Sequence, residues 1–346
     1  MGRLPALDGL RAIAILIVMV SHAGLGHIVP GNFGVTIFFF LSGYLITTLM
    51  VSEWDRTERL DFSAFYLRRV VRIIPPMVVA IGITTVLALA GYMRPMNYSG
   101  LTWDFLFLTN YASLFGETSN IPIPLWSLDV EEHFYLLFPL LFAFVRRRGQ
   151  ISAVALACVL LCVLVLLVRM THAFEAEMNR NIYYWSHTRI DSIIYGCILA
   201  CWNNPSLKGR TFINGHIVPA FVGAALILAT FIIRDPVFRE TLRYSLQGVG
   251  LFLIFNYALR NQGIVSRLLA HPVLKIIADL SYFLYLIHLP MVVFVSHFTT
   301  SPELLYAGAF ALSFLSAALV RQHIELPLLR WRKRIELKPN VKVSIP

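Results

Sequence analysis

GLRAIAILIVMVSHAGLGHIV, residues Gly9 to Val29, is long and apolar enough to cross ~30 Å of hydrocarbon as a single helix. It nevertheless carries Arg11 near one end and His22 well inside. Ionisable side chains within a span are functional candidates by default. At 100° and 1.5 Å per residue, the eleven positions between them return to within roughly 20° of one helix face and advance ~16 Å. Arg11 and His22 are therefore expected to face one cavity from different depths, the first as an anion clamp, the second as a base. The plain alternative is a buried polar pair satisfied by neighbouring groups.

The rest of the chain agrees with a membrane setting. Of its 346 residues 58% are hydrophobic and only 14% charged, with a mean hydropathy of +0.70, too apolar for the surface of a soluble domain of this length. The formal charge of +10 is spread over several short segments, which is how positive-inside sorting looks and not how a nucleic-acid face looks. Cys158/Cys162 and Cys197/Cys201 are i, i+4 pairs within apolar runs. They lack the His or carboxylate neighbours of a zinc site and read as small packing residues. Arg11 interrupts the early part of the first apolar run and no A-x-A-like cleavage site follows, so we read it as a retained first helix and not a signal peptide.

Runs of spanning length fall at Gly9–Val29, Phe33–Val51, Ile74–Tyr92, Glu131–Val145 and Ile151–Met170. Further runs are Arg189–Trp202, Ile217–Ile233, Leu242–Leu259, Ile276–Phe298 and Glu303–His323. The expected fold is an all-α integral membrane bundle of about ten transmembrane helices, in one domain covering residues 1–346. Between the runs, the basic segments are Arg56 to Arg72, Arg146–Arg147–Arg148, Lys208/Arg210, Arg260 to Lys275 and Arg330 to Lys342. These occupy every second connection, which predicts that both termini are cytoplasmic. No internal repeat or appended soluble domain is visible. The longest outer segment, Met93 to Val130, could cap a cavity. Tyr183, Tyr184 and Trp185 in a second outer segment suit either sugar stacking or, more simply, an interfacial aromatic belt.

Several polar constellations interrupt the apolar helices. Trp126–Ser127–Leu128–Asp129–Val130–Glu131–Glu132–His133–Phe134–Tyr135 places carboxylates and a histidine at the start of a helix, where the macrodipole favours negative charge anyway. Glu131 and Tyr135 share a face at i, i+4. Arg68, Arg69 and Arg72 precede Pro75–Pro76 at a cytoplasmic helix start. They suit a positive-inside anchor or, through the paired Arg69 and Arg72, phosphate oxygens. Ser42–Gly43 is a small step that lets helices approach closely. Asp191, His288 and Glu325 are further ionisable groups in or near spans, each a possible structural partner for an arginine such as Arg189 or Arg321. No Walker loop, H-E-x-x-H, G-x-S-x-G or Gly-rich dinucleotide fingerprint is present.

Taken together, Leu7–Asp8–Gly9–Leu10–Arg11 with the spacing to His22, FFFLSGYLI (38–46), RRVVRIIPP (68–76), PLWSLDVEEHFYLLFP (124–139), LSYFLYLIHLP (280–290) and IELP (324–327) resemble the acyltransferase family 3 proteins. The resemblance runs through the whole length. It implies a membrane O-acyltransferase of the bacterial cell inner membrane. The group moved, usually acetyl, passes from cytoplasmic acyl-CoA to a hydroxyl of a glycan such as lipopolysaccharide, another polysaccharide or a lipid-linked glycan. Acyl-CoA is then a co-substrate, with no tightly bound cofactor and no metal, and the partners are acceptor glycan and membrane lipid, not nucleic acid. Arg11, His22, Arg69, Arg72, Ser42–Gly43 and Glu131 match family motifs. Asp129 and His133 depart from them, standing where small or amide residues are usual, and are expected to add titratable groups near Glu131. Some members carry a fused C-terminal hydrolase-like domain. Here the chain ends at Pro346, so transfer is expected to be completed by the membrane domain or by a separate protein.

The mechanism expected on this reading has Arg11, Arg68, Arg69 and Arg72 holding the donor phosphates. The ~16 Å from Arg11 to His22 is comparable to the arm of coenzyme A, and His22 acts as general base with Glu131 orienting it or binding the acceptor. Ser42, Trp126, Asp129, Tyr135, Asp191, His288 and Glu325 are expected to support the site or bind acceptor. The rival of another class is a multi-pass transporter or flippase of a glycan or lipid-linked intermediate, which should show symmetry between halves. None is visible.

Overall fold

The computed structural model describes residues 5–95, 97–117, 121–174, 180–205, 207, 216–261 and 263–336. Lys208, Arg210 and the basic tail beyond residue 336 lie outside them. All regular structure among the described residues is helical. Helix α1 (Pro5–Val20) runs into a π-turn (Ser21–Leu25), followed by α2 (Gly31–Thr57) and α3 (Phe62–Leu89). Two short helices, α4 (Tyr98–Phe105) and α5 (Thr109–Ala112), precede α6 (Leu125–Arg148) and α7 (Ile151–Phe174). Then come α8 (Ser186–Arg189), α9 (Asp191–Trp202), α10 (Ile217–Ile232), α11 (Pro236–Glu240) and α12 (Leu242–Arg260). The order closes with α13 (Ile264–Leu269), α14 (Pro272–Val295), α15 (Pro302–Val320), a second π-turn (Arg321–Glu325) and α16 (Leu326–Glu336).

Among the described residues six helices are long and apolar enough to cross a membrane, namely Pro5–Leu25, Gly31–Thr57, Phe62–Leu89, Ile151–Ala173, Pro272–Val295 and Pro302–Ile335. This is a multi-pass membrane protein. The expected runs Arg189–Trp202 and Ile217–Ile233 fall on shorter apolar helices, α9 with 12 residues and α10 with 16. Glu131–Val145 and Leu242–Leu259 lie within α6 and α12, of 24 and 19 residues. Helix α7 shows how a span sorts its faces. Val154, Cys158, Cys162, Val165 and Arg169 form a buried stripe at i, i+4, i+8, i+11 and i+15, while Leu156, Leu160, Leu164 and Leu167 are exposed on the side left for lipid. The four cysteines are free and buried.

The chain divides into two compact units, the first built from Met1–Arg59, Asn97–Asn120 and Pro124–Ser281, the second from Leu60–Met96, Ile121–Ile123 and Tyr282–Pro346. In the first unit α2 lies against α9 with almost no space between backbones. A Cβ on Gly43 would collide with the carbonyl oxygen of Ile193, and one on Gly196 with that of Phe40. Small residues at a crossing are the means by which membrane helices gain packing without a hydrophobic drive. Around the crossing Phe40, Leu41, Tyr44, Leu199, Ala200 and Phe255 form the apolar core. A buried ion pair lies in this unit. Arg169 meets Asp191 at 2.7 Å with both side chains fully buried, and also donates to Thr188 O and Ser245 Oγ.

In the second unit α3 starts at Asp61, whose carboxylate accepts from Ala64 N at 2.9 Å and satisfies one of the free donors of the first turn. Pro75 and Pro76 lie inside α3, where they withhold the donors that the carbonyls of Val71 and Arg72 would otherwise receive. Tyr282 Oη donates to the next carbonyl, Ile73 O, at 2.9 Å. Tyr92 packs against Phe294, His297 and Phe298.

Candidate functional site

The most developed polar cluster of the first unit is centred on Glu131. Ser42 Oγ donates to Glu131 Oε1 at 2.6 Å. Tyr135 Oη donates to Ser42 Oγ at 3.2 Å and to Glu131 Oε2 at 3.4 Å. Glu131 and Tyr135 share a face, as their i, i+4 spacing predicts, and the structure turns that face to α2, where the Ser42–Gly43 step puts one hydroxyl beside the carboxylate and one glycine against α9. A carboxylate within an apolar bundle, fixed by two hydroxyls, is placed to accept a further hydrogen bond from an incoming hydroxyl or imidazole.

Asp129 and His133 do not join this cluster, contrary to expectation. Two residues along a helix turn it by 200°, so positions 129 and 133 share the face opposite Glu131. Asp129 is fully buried and accepts from Asn110 N at 2.9 Å, at the start of α5. His133 Nδ1 lies 2.6 Å from Ser186 Oγ, and Asn110 Nδ2 donates to the same hydroxyl at 2.8 Å. Tyr111 Oη lies 2.8 Å from His187 Nδ1, and the two rings are stacked. Partial burial of the His187 ring, and then the neighbouring His172, hold its pKa below the usual histidine value, although part of the residue stays open to solvent. Tyr111, His133, Ser186 and His187 head an apolar cavity of about 420 Å³ walled by Leu137, Leu161, Leu164 and Val168.

The other expected residues are placed as follows. Arg11 is half-buried on α1, and His22, the second residue of the π-turn, is exposed. Gly24 ends that turn in the left-handed region at φ 78°, which a glycine tolerates without Cβ strain. Irregular turns of this kind concentrate at functional sites. Trp126 packs in an aromatic cluster with Phe39, Tyr183 and Tyr184, whereas Trp185 is buried and stacked on His187. Asp191 is a structural partner, ion-paired with Arg169 and acting on the neighbouring Arg189 through its charge. Arg189 is fully buried, donates to Thr36 Oγ1 at 3.2 Å, and sits 3.8 Å over the ring of Tyr244 and 5.2 Å over that of Tyr183. In the second unit Arg68 and Arg69 are half-buried and Arg72 exposed, all within the first three turns of α3. His288 is buried with Nδ1 3.1 Å from Leu284 O. Glu325 accepts from Arg321 at 3.0 Å across the second π-turn, the structural pairing the sequence allowed.

Sequence reasoning missed Ser186 and His187 and noted Asn110 only as part of a segment that could cap a cavity; all three lie on four-residue helices with no periodic signal. It also missed Arg169, whose place at the end of the buried α7 stripe marks it as facing inward. Among the described residues no group of three or more His, Cys, Asp or Glu side chains is arranged to hold a metal ion.

Comparison with known proteins gives the family. The model of the acyltransferase 3 family, described as an acyltransferase domain, matches residues 4–321. O-acetyltransferase OatA of Staphylococcus aureus (strain NCTC 8325 / PS 47) is 30% identical over 346 aligned residues, covering 94% of this chain and 57% of OatA. A second S. aureus protein (strain COL), whose name marks it as a candidate O-acetyltransferase, is 28% identical over 364 residues, covering 96% of this chain and 59% of its own length. The chain thus spans less than two thirds of the length of these relatives. No solved structure matches. With a family match running through nearly all of its length, the chain belongs to the acyltransferase 3 family.

Proposed function

We propose that this protein is a membrane O-acyltransferase that moves an acyl group from acyl-CoA to a hydroxyl of a cell-surface or secreted glycan. The observation that carries the reading is the Ser42–Glu131–Tyr135 cluster, a fixed carboxylate inside the bundle of a chain matched over residues 4–321 to an acyltransferase domain. The names of its relatives, O-acetyltransferases, support acetyl as the group moved. In this reading His22 removes the proton of the acceptor hydroxyl as the oxygen attacks the thioester carbonyl. The tetrahedral intermediate then collapses, the C–S bond breaks, and the thiolate leaves with the proton His22 had taken. Glu131, held by Ser42 and Tyr135, accepts a hydrogen bond from the acceptor. Arg11 and, in the second unit, Arg68, Arg69 and Arg72 are assigned to donor phosphates because guanidinium groups bind them bidentately. Positive-inside sorting supports about ten spans and cytoplasmic termini; the cytoplasmic donor and the bacterial inner membrane are what the family resemblance implies. We read residues 1–346 as one acyltransferase domain.

The test is label transfer. The purified chain in detergent is incubated with radiolabelled acetyl-CoA and glycan extract, beside a His22→Ala variant of matched folding. Label should enter glycan, and loss of the base should lower turnover by on the order of 10²–10⁴. Near-normal turnover in His22→Ala removes the base from this assignment. Label held on protein, with ping-pong kinetics, replaces direct transfer by an acyl-enzyme on His22 or Ser42. Absence of acyl-CoA binding favours a transporter.

A further inference from the structure

A second cavity lies in the first unit, about 280 Å³ in volume, between the turn that carries His22 and the facing ends of α10 and α12. Ser21, the direct neighbour of His22, is part of its wall, as are Asn32, Gln247 and three arginines, Arg234, Arg239 and Arg243. No carboxylate is among the residues that line it. Arg234 and Arg239 have acidic sequence neighbours in Asp235 and Glu240, and the structure shows how far these balance them. The carboxylate of Asp235 is engaged with Phe238 N at 2.7 Å as the cap of α11. Glu240 approaches Arg243 only to 3.9 Å.

Behind the wall stands more positive charge. Arg243 donates to Tyr244 Oη at 2.7 Å. The ring of Tyr244 has the guanidinium of Arg189 at 3.8 Å and that of Arg169 at 5.3 Å. Five guanidiniums are thus gathered around Tyr244 and the cavity against three carboxylates, Asp191, Asp235 and Glu240. Arg243 is only 12% exposed in its side chain, and its Nε is buried with no hydrogen-bond partner among the described residues. Like charges at this density in a partly dry site repel one another, and a bound oxyanion relieves the repulsion while using the bidentate geometry of guanidinium.

We propose that this cavity binds an anionic group, phosphate or carboxylate, carried by the glycan acceptor, and holds the acceptor hydroxyl beside His22. The inference rests on the assignment of His22 as base and names the class of acceptor, an acidic glycan. The volume is at the lower end of small-molecule sites and suits one sugar or head group. The cavity also lies at the end of α1 opposite Arg11. Ten residues separate Arg11 from Ser21, or ~15 Å of helix, so an anion here and a donor phosphate at Arg11 occupy different ends.

The experiment is calorimetric titration of the full chain in detergent with inorganic pyrophosphate and, separately, glucuronate. At least one probe should bind saturably and more weakly as salt is raised, and the preferred probe tells phosphate-linked from uronic-acid acceptors. Arg239→Gln/Arg243→Gln should weaken that binding tenfold or more and Arg234→Gln, an exposed position, severalfold. Arg148→Gln, remote in the sequence and packed on Phe144, should leave it unchanged. Acetyl-CoA affinity should be that of the wild type in every variant. The proposal is overturned if neither probe binds the wild type, or if Arg234→Gln and the double variant, with unaltered melting temperatures, bind as it does. Parallel loss of acetyl-CoA binding in a variant that melts normally would assign the cavity to the donor and overturn it too. Because the readout is binding, retained turnover in His22→Ala sinks the proposed base without touching the anion site.

Discussion

Ser42 at 2.6 Å and Tyr135 at 3.4 Å hold Glu131 through hydroxyls, which orient the carboxylate without neutralising it. A hydrogen bond to a charged group contributes about 1.5–3 kcal/mol, and Ser42→Ala should lower stability by about that amount in detergent unfolding followed by circular dichroism. Glu131→Gln keeps the size and an acceptor oxygen but removes the charge. It should leave the melting temperature nearly unchanged while turnover falls up to about 10²-fold, the scale of lost positioning; equal turnover would make Glu131 a packing residue. Asp191 answers to a different logic, because both it and Arg169 are fully buried. Asp191→Asn strands a buried guanidinium and should cost about 3–5 kcal/mol, whereas Arg169→Met/Asp191→Leu, which removes both charges, should cost far less. If the single and double variants melt alike, the pair is not the unit of stability described here.

Between α2 and α9, closeness and not side-chain volume does the packing. Gly43→Ala places a methyl group into the carbonyl oxygen of Ile193. The helices must part, at a cost of about 1–3 kcal/mol or more, and Ser42 moves with them, so reduced stability and reduced transfer should appear together. A Gly43→Ala protein with normal melting and normal transfer would mean that the crossing is softer than its geometry. The glycine beside Ser42 was legible in the sequence because a small-residue step in an apolar run has few other uses. Its counterpart Gly196 was not, since which helices cross is a tertiary fact. Helical periodicity alone places Asp129 and His133 opposite Glu131, yet proximity along the chain grouped them with it. Their partners Asn110 and Ser186 come from four-residue helices that carry no amphipathic signal. The π-turn holding His22 was likewise invisible, because the four other residues, Ser21, Ala23, Gly24 and Leu25, are small or apolar and read as plain helix.

At the scale of the molecule, composition made the membrane class legible, and the family motifs made the chemistry legible; how the chain threads the bilayer rests on alternating basic segments. Among the described residues six helices reach spanning length and apolarity by themselves. Helix α6 carries Asp129, Glu131 and Glu132 near its start, and α9 extends for 12 residues, or ~18 Å against ~30 Å of hydrocarbon. Functional charge and short helices are what dilute the hydropathy signal of a catalytic bundle. The positive-inside pattern nevertheless puts residues near 63 and 150 on the cytoplasmic side and those near 113 and 300 outside. Each of Ser63, Gln150, Ser113 and Thr300 is exposed, and all four native cysteines are buried, so single cysteines introduced at these positions should report with little background. In intact cells a membrane-impermeant maleimide should label Ser113→Cys and Thr300→Cys, and should reach Ser63→Cys and Gln150→Cys only after the membrane is opened. Labelling of Gln150→Cys from outside would mean that α6 does not cross between Ser113 and Gln150, and with it the assignment of Glu131 to a transmembrane path from a cytoplasmic donor to an outer acceptor would fall.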